Sequence, residues 1–255
     1  MLRAFRHELL KLRRPTMLLG SFGIMAAMAL IGVVITITRA GSGNADVSLA
    51  SLSQPDGFAA MMQRGTEMLG IVALGVVAVV VAQDYSTGML RSMLMRQPRR
   101  LHLLAGKLAA DLLYTTAAAV VALGVAFVAA LAIGPAKGVD TSQWLHSGLL
   151  TTAAQFGAEA LVALGFGIFG AVLAIVFRNP ATAAIVGIAW SLPVEGLLGR
   201  VWSSLEQWLP VHQLSVIAAR GQGATLSTAL LLAAAFAAAA AVASATIFRR
   251  ADVLA

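Results

Sequence analysis

The sequence predicts an all-α protein that crosses a membrane six times. Three observations carry that expectation. Residues 17–38 form an uncharged apolar run of twenty-two residues, ~33 Å long as a helix, which suffices for a hydrocarbon core of ~30 Å. Runs of similar character recur to the C-terminus. Hydrophobic residues make up 59% of the chain and charged residues 11%, against about 25% charged in soluble domains. An ordinary globular enzyme is excluded.

The first element precedes the first run. Leu2, Phe5, Leu9 and Leu12 share one helical face, while Arg3, His7, Lys11 and Arg14 occupy another. That periodicity predicts a short interfacial elbow helix within residues 1–15, its apolar side in lipid and its cations towards anionic headgroups. Leu2, Arg3, Phe5, Leu9, Lys11 and Leu12 are its expected membrane contacts. Pro15 disfavours helix at Arg14 and bends the chain into the first span. A plain positive-inside anchor is the alternative, but it requires no periodicity. A cleavable signal peptide would need an apolar core of ~7–15 residues and a small-residue site. The run is too long and Thr38-Arg39-Ala40 is a poor site, so the span is retained.

Spans are expected at residues 17–38, 59–82, 108–133, 149–177, 181–198 and 226–248. They use the 255 residues as a single transmembrane domain, with no room for a soluble one. Thirteen of the eighteen lysines and arginines lie before the first span, between spans two and three, between spans four and five, or after the sixth. The positive-inside rule makes that side cytoplasmic, with both termini on it. Asp46, Asp56, Glu67, Asp140, Glu195 and Glu206 fall on the opposite side, as do Trp144, Trp190, Trp202 and Trp208. Pro193 is expected to break the fifth span early. Beyond it, residues 199–224 read as an extracellular region of short re-entrant helices, since irregular backbone at membrane depth survives only against protein or a wet cavity.

Few residues can carry chemistry. Cysteine is absent, and His7, His102, His146 and His212 are scattered, so neither a catalytic set nor a metal site is expected. The net charge of +7 does not indicate nucleic acid, because the bases flank apolar spans. Gly106-Lys107-Leu108 fails the phosphate-binding pattern, so any ATP binds another polypeptide. Gly165-Phe166-Gly167-Ile168-Phe169-Gly170 fits a dinucleotide pattern but lies inside an apolar span, where glycines let helices approach closely. Lys107 and Asp111 are spaced as a same-face helical pair. Glu159, about ten residues inside the fourth span with Gln155 one turn earlier, costs roughly 2.5–3.5 kcal/mol to insert and must face a cavity or a partner helix. Gln155, Glu159 and Glu195 are the candidates for a substrate path; an interhelical hydrogen bond is the alternative for Glu159.

Residues 83–107 form the least membrane-like stretch. Ser86 or Thr87 can cap a helix start and Pro98 discourages helix at Gln97. Leu90, Met93, Leu94 and Gln97 would share one face, and methionine suits a surface that keeps contact while a partner moves. The stretch resembles the permease subunit of type 2 ABC transporters, the exporter-like class. Asp84 stands where that family usually has Glu, Gly88 and Leu90 match, and Met89 replaces its Thr. Met93-Leu94 takes its paired apolar position, followed by Pro98, Arg100 and Lys107. Glu8-Leu9-Leu10-Lys11-Leu12-Arg13-Arg14 is similar to the family's opening, so the resemblance spans the whole chain.

That resemblance implies a coupling helix at residues about 86–97, docked on a separate ABC ATPase subunit. Asp84, Thr87, Gly88, Met89, Leu90, Arg91, Met93, Leu94 and Arg96 are its implied contacts. ATP and Mg would belong to the partner, with no cofactor in this chain. A second permease copy, or a related one, would complete an export path in a bacterial plasma membrane. The alternative is an ion- or proton-coupled secondary transporter using Glu159, which predicts internal repeats with paired broken spans; none is convincing.

Overall fold

The computed structural model describes residues 2–42, 48–65, 67–96, 100–220 and 226–250. Asp46, Gln97, Pro98 and Arg99 lie outside the described residues, as do the side chains of Arg3, Arg64, Glu67, Arg91, Leu94, Arg96, Arg100 and Arg250. Among the described residues every regular element is helical. The order is α1 (Leu2–Leu12), α2 (Pro15–Gly41), α3 (Leu49–Leu52), α4 (Gly57–Gly65), α5 (Glu67–Ser86), α6 (Met89–Arg96) and α7 (Arg100–Ile133). Then come α8 (Ser142–His146), α9 (Leu149–Phe177), α10 (Pro180–Ala189), α11 (Glu195–Val201), α12 (Ser203–Glu206), α13 (Pro210–Ala218) and α14 (Leu226–Arg250). Among the described residues six helical stretches have the length and hydropathy to span a membrane: Pro15–Gly41, Met68–Ser86, Leu101–Ile133, Leu149–Phe177, Pro180–Val201 and Leu226–Arg249. The protein is an all-α polytopic membrane protein.

Three expectations need correction. The second span starts at Met68 rather than residue 59. The apolar stretch before it forms the separate helix α4, whose Phe58 packs edge-on against Phe127 at 4.6 Å and lies 5.8 Å from Trp144. Those residues are apolar because they plug one end of the bundle, not because they meet lipid. The third span begins at Leu101, two turns earlier than residue 108, because Lys107 has carboxylate partners inside the protein and can sit within the helix. Pro193 does not end the fifth span. The chain passes it in one wide π turn, Trp190–Val194, and continues as α11. A π turn lets a helix absorb the amide that proline lacks without stopping.

α5 and α9 form the most extensive helix pair, with α7, α10 and α2 around them. At their seam Gly170 has no room for a side chain: a Cβ there would fall well inside contact with the Leu74 carbonyl oxygen. Glycine thus sets the close approach that the sequence pattern suggests. At the end remote from α1, the Trp144 indole donates to the Leu52 carbonyl at 2.9 Å, tying α8 to α3. α14 sits at the edge, against α9 and α13.

Candidate functional site

α5 stops where the Ser86 and Thr87 hydroxyls both donate to the Gln83 carbonyl, at 3.0 and 2.8 Å. These hydroxyls therefore close α5 instead of capping α6, the role their position in the sequence suggests. Gly88 follows at φ +69°, a conformation L side chains rarely adopt, and turns the chain into α6. Leu90, only 3% exposed, then packs among Val77, Val81, Leu103, Leu104 and Phe248, and Met93 packs against the same cluster. Met89 and Ser92 face outwards, and Met95 is 76% exposed. α6 is therefore pinned by one side while its other side projects.

Beneath α6 lies a feature that the sequence discloses only in part. Lys11 Nζ is 3.0 Å from Glu8 Oε1 and 2.6 Å from Asp84 Oδ1. Lys107 Nζ is 2.8 Å from the same Glu8 oxygen, 2.7 Å from Asp84 Oδ2 and 3.3 Å from Asp111 Oδ2. Glu8, Lys11, Asp84 and Lys107 thus close a ring, with Asp111 attached. Glu8, Asp84, Lys107 and Asp111 are all buried. Taking such ions out of water costs several kcal/mol each, and only close, multiple contacts offset that.

The ring reassigns two groups of residues. Lys11, expected among headgroups, turns inwards, and Leu12 packs with Val80 and Tyr114 rather than with lipid. Leu2 and Leu10 are exposed, and Phe5 and Leu9 are half-buried. Asp84, expected with the docking residues, is 1% exposed and enclosed by α1. Helical spacing reveals the Lys107–Asp111 pair. Nothing local could pair Lys107 with Glu8 across 99 positions of sequence.

At the opposite end, Glu195 accepts from the Trp190 indole at 2.9 Å and from the His212 amide at 2.8 Å. His212 lies in the first turn of α13, where a carboxylate opposes the positive end of the helix. Glu195 lines a cleft of about 360 Å³ with Ser191, Arg200, Glu206, His212 and Ser215. Gln155 and Glu159 are enclosed instead. The Gln155 amide donates to the Ala218 carbonyl at 2.9 Å and to Glu159 Oε1 at 3.1 Å. The three path candidates therefore divide: Glu195 borders open space, and the other two lie in the seam between α9 and α13. Together Glu195 and Gln155 hold α13 at both ends. Glu195→Gln turns an NH₂ group towards one of two N–H donors, so the amides of α13 should exchange about tenfold faster, read by hydrogen-exchange mass spectrometry. Unchanged exchange would show that Glu195 does not anchor α13.

The family model for the ABC-2 family transporter protein matches residues 4–193. The chain belongs to the ABC-2 transporter family. That match takes in the ring, α6 and the first four spans, together with α10 of the fifth. No curated protein matches the chain. ABC-2 permeases are the membrane components of ABC transporters, not themselves catalytic, and they work with an ABC ATPase subunit, generally as a dimer.

Proposed function

We propose that this chain is the permease subunit of an ATP-driven exporter, and that α6 is the coupling helix gripped by a separate ATPase subunit. The observation that carries this reading is the two-sided environment of α6. Leu90 and Met93 fix it to the bundle while Met89 and Met95 stand clear. A helix mounted in this way can deliver a push, and flexible methionines keep contact as the partner turns. α1 is read as the elbow helix, and the excess of basic residues around α1 and α6 supports a cytoplasmic side for both by the positive-inside rule, in what we take to be a bacterial plasma membrane.

ATP and Mg belong to the partner subunit. A second copy of this permease, or a related one, completes the path through the bilayer. We take the cleft bordered by Glu195 and Arg200 to be its outer mouth.

The test uses Met89→Glu/Met95→Glu, co-expressed with ABC ATPase subunits from the same genome. Both side chains are surface-exposed, so permease yield and melting temperature should match the parent. Co-purification of the ATPase should fall at least tenfold, since an unpaired acid in a methionine contact is a desolvated charge. Undiminished co-purification would refute α6 as the docking helix.

A further inference from the structure

The ring of Glu8, Lys11, Asp84 and Lys107 does more than neutralise buried charge, because of where its members sit in the chain. Asp84 lies three residues before Thr87, at the end of α5, and Lys107 lies in the second turn of α7. These two flank α6, and they are bridged to each other at 2.7 Å. Glu8 and Lys11 both belong to α1, and each binds a different arm of this fork: Glu8 to Lys107 at 2.8 Å and Lys11 to Asp84 at 2.6 Å. α1 is followed after Leu12 by only Arg13 and Arg14 before α2 begins at Pro15. The fork that carries α6 is therefore clasped to the helix that leads into the first span.

A short helix resting on lipid alone would slide when α6 moved. This one cannot separate from the fork without exposing unpaired charges to a buried, poorly solvated site. We propose that the ring locks α1 to the fork of α5 and α7 on which Leu90 and Met93 seat α6, with Lys107 as its positioning residue, so that α1 and α6 move as one lever and displacement of α6 reaches α2 through α1. The proposal rests on the coupling role of α6, but the joint itself can be measured without an ATPase.

The chain has no cysteine, so spin labels can be placed at will. Leu10→Cys and Met95→Cys put labels on exposed positions of α1 and α6. Double electron–electron resonance on the full-length permease in lipid nanodiscs, with the labelled chain diluted in an excess of the cysteine-free protein so that any dimer carries labels on one copy, should give one narrow distance distribution. Adding Glu8→Gln/Lys11→Met removes both clasps from α1 and leaves Lys107 between Asp84 and Asp111. The distribution should then at least double in width, whereas Lys11→Arg should keep it narrow. Should the double variant fail to fold, Glu8→Gln alone leaves two carboxylates facing two lysines and should give an intermediate width. An unchanged width in every variant recovered overturns the lever. If α6 does not dock on an ATPase, these distances still hold, so the two failures are separable.

Discussion

Lys107→Met is expected to destabilise the protein by about 3–5 kcal/mol, the cost of stripping one partner from a buried ion pair. Lys107 is buried and within 3.3 Å of three carboxylates. Its removal leaves Glu8, Asp84 and Asp111 to share Lys11 alone, and Lys11 lies within salt-bridge distance of only the first two. Methionine matches the length of the lysine stem, so lost packing contributes little and the penalty is electrostatic. A double-mutant cycle separates the two. Adding Asp84→Asn removes one of the stranded carboxylates, and the pair should recover at least 1 kcal/mol relative to the sum of the single changes. The measurement is denaturant or thermal unfolding in bicelles, with both singles and the double prepared alike. A Lys107→Met protein within 1 kcal/mol of the parent would show that the ring is solvated rather than sealed.

The same residues show how far the sequence can be read. Spans one, four and six are legible because little besides a hydrocarbon core selects an apolar run of that length. The run before Met68 misleads because burial against protein and burial in lipid select the same residues; only Trp144, Phe127 and Phe58 meeting in space separates them. Pro193 misleads for a different reason. Proline forbids one hydrogen bond, but whether the helix stops or widens depends on the contacts open to the next turn, and here Glu195 is held by Trp190 and His212. The amphipathic character of α6 is evident from spacing, yet spacing cannot say which face meets the bundle. Leu90 and Met93 hold the helix in place, leaving Met89 and Met95 outside. Charged partners distant in sequence are the least legible of all, since Coulomb attraction leaves no periodicity.

Gly170→Ala is expected to cost about 1–3 kcal/mol, the range for overfilling a packed interior, although alanine is the better helix former by up to ~1 kcal/mol. The reason is what the new methyl group would strike. At Gly170 it meets the Leu74 carbonyl oxygen, and the Leu74 carbonyl carbon and Cα lie 3.1 and 3.2 Å away. All three are backbone, so α5 and α9 must part. Gly167 offers a contrast three residues earlier on the same helix, where a methyl group would meet Leu112 Cδ2 at 2.9 Å. A side-chain terminus can rotate aside, so Gly167→Ala should cost less than about 1 kcal/mol. Gly124, in α7, has nothing within 4 Å of an added Cβ, and Gly124→Ala should be neutral or stabilising. Thermal unfolding of the three variants should therefore rank Gly124→Ala first, Gly167→Ala next and Gly170→Ala last. A Gly170→Ala protein as stable as Gly124→Ala would remove the case for a glycine-set α5–α9 seam. The consequence also reaches the far end of α5, because that helix carries Asp84 at its close. A wedge at Leu74, ten residues before Asp84, tilts the arm that holds Lys11 and Lys107. Gly170→Ala should therefore also widen the distance distribution between labels at positions 10 and 95, which Gly124→Ala should leave narrow.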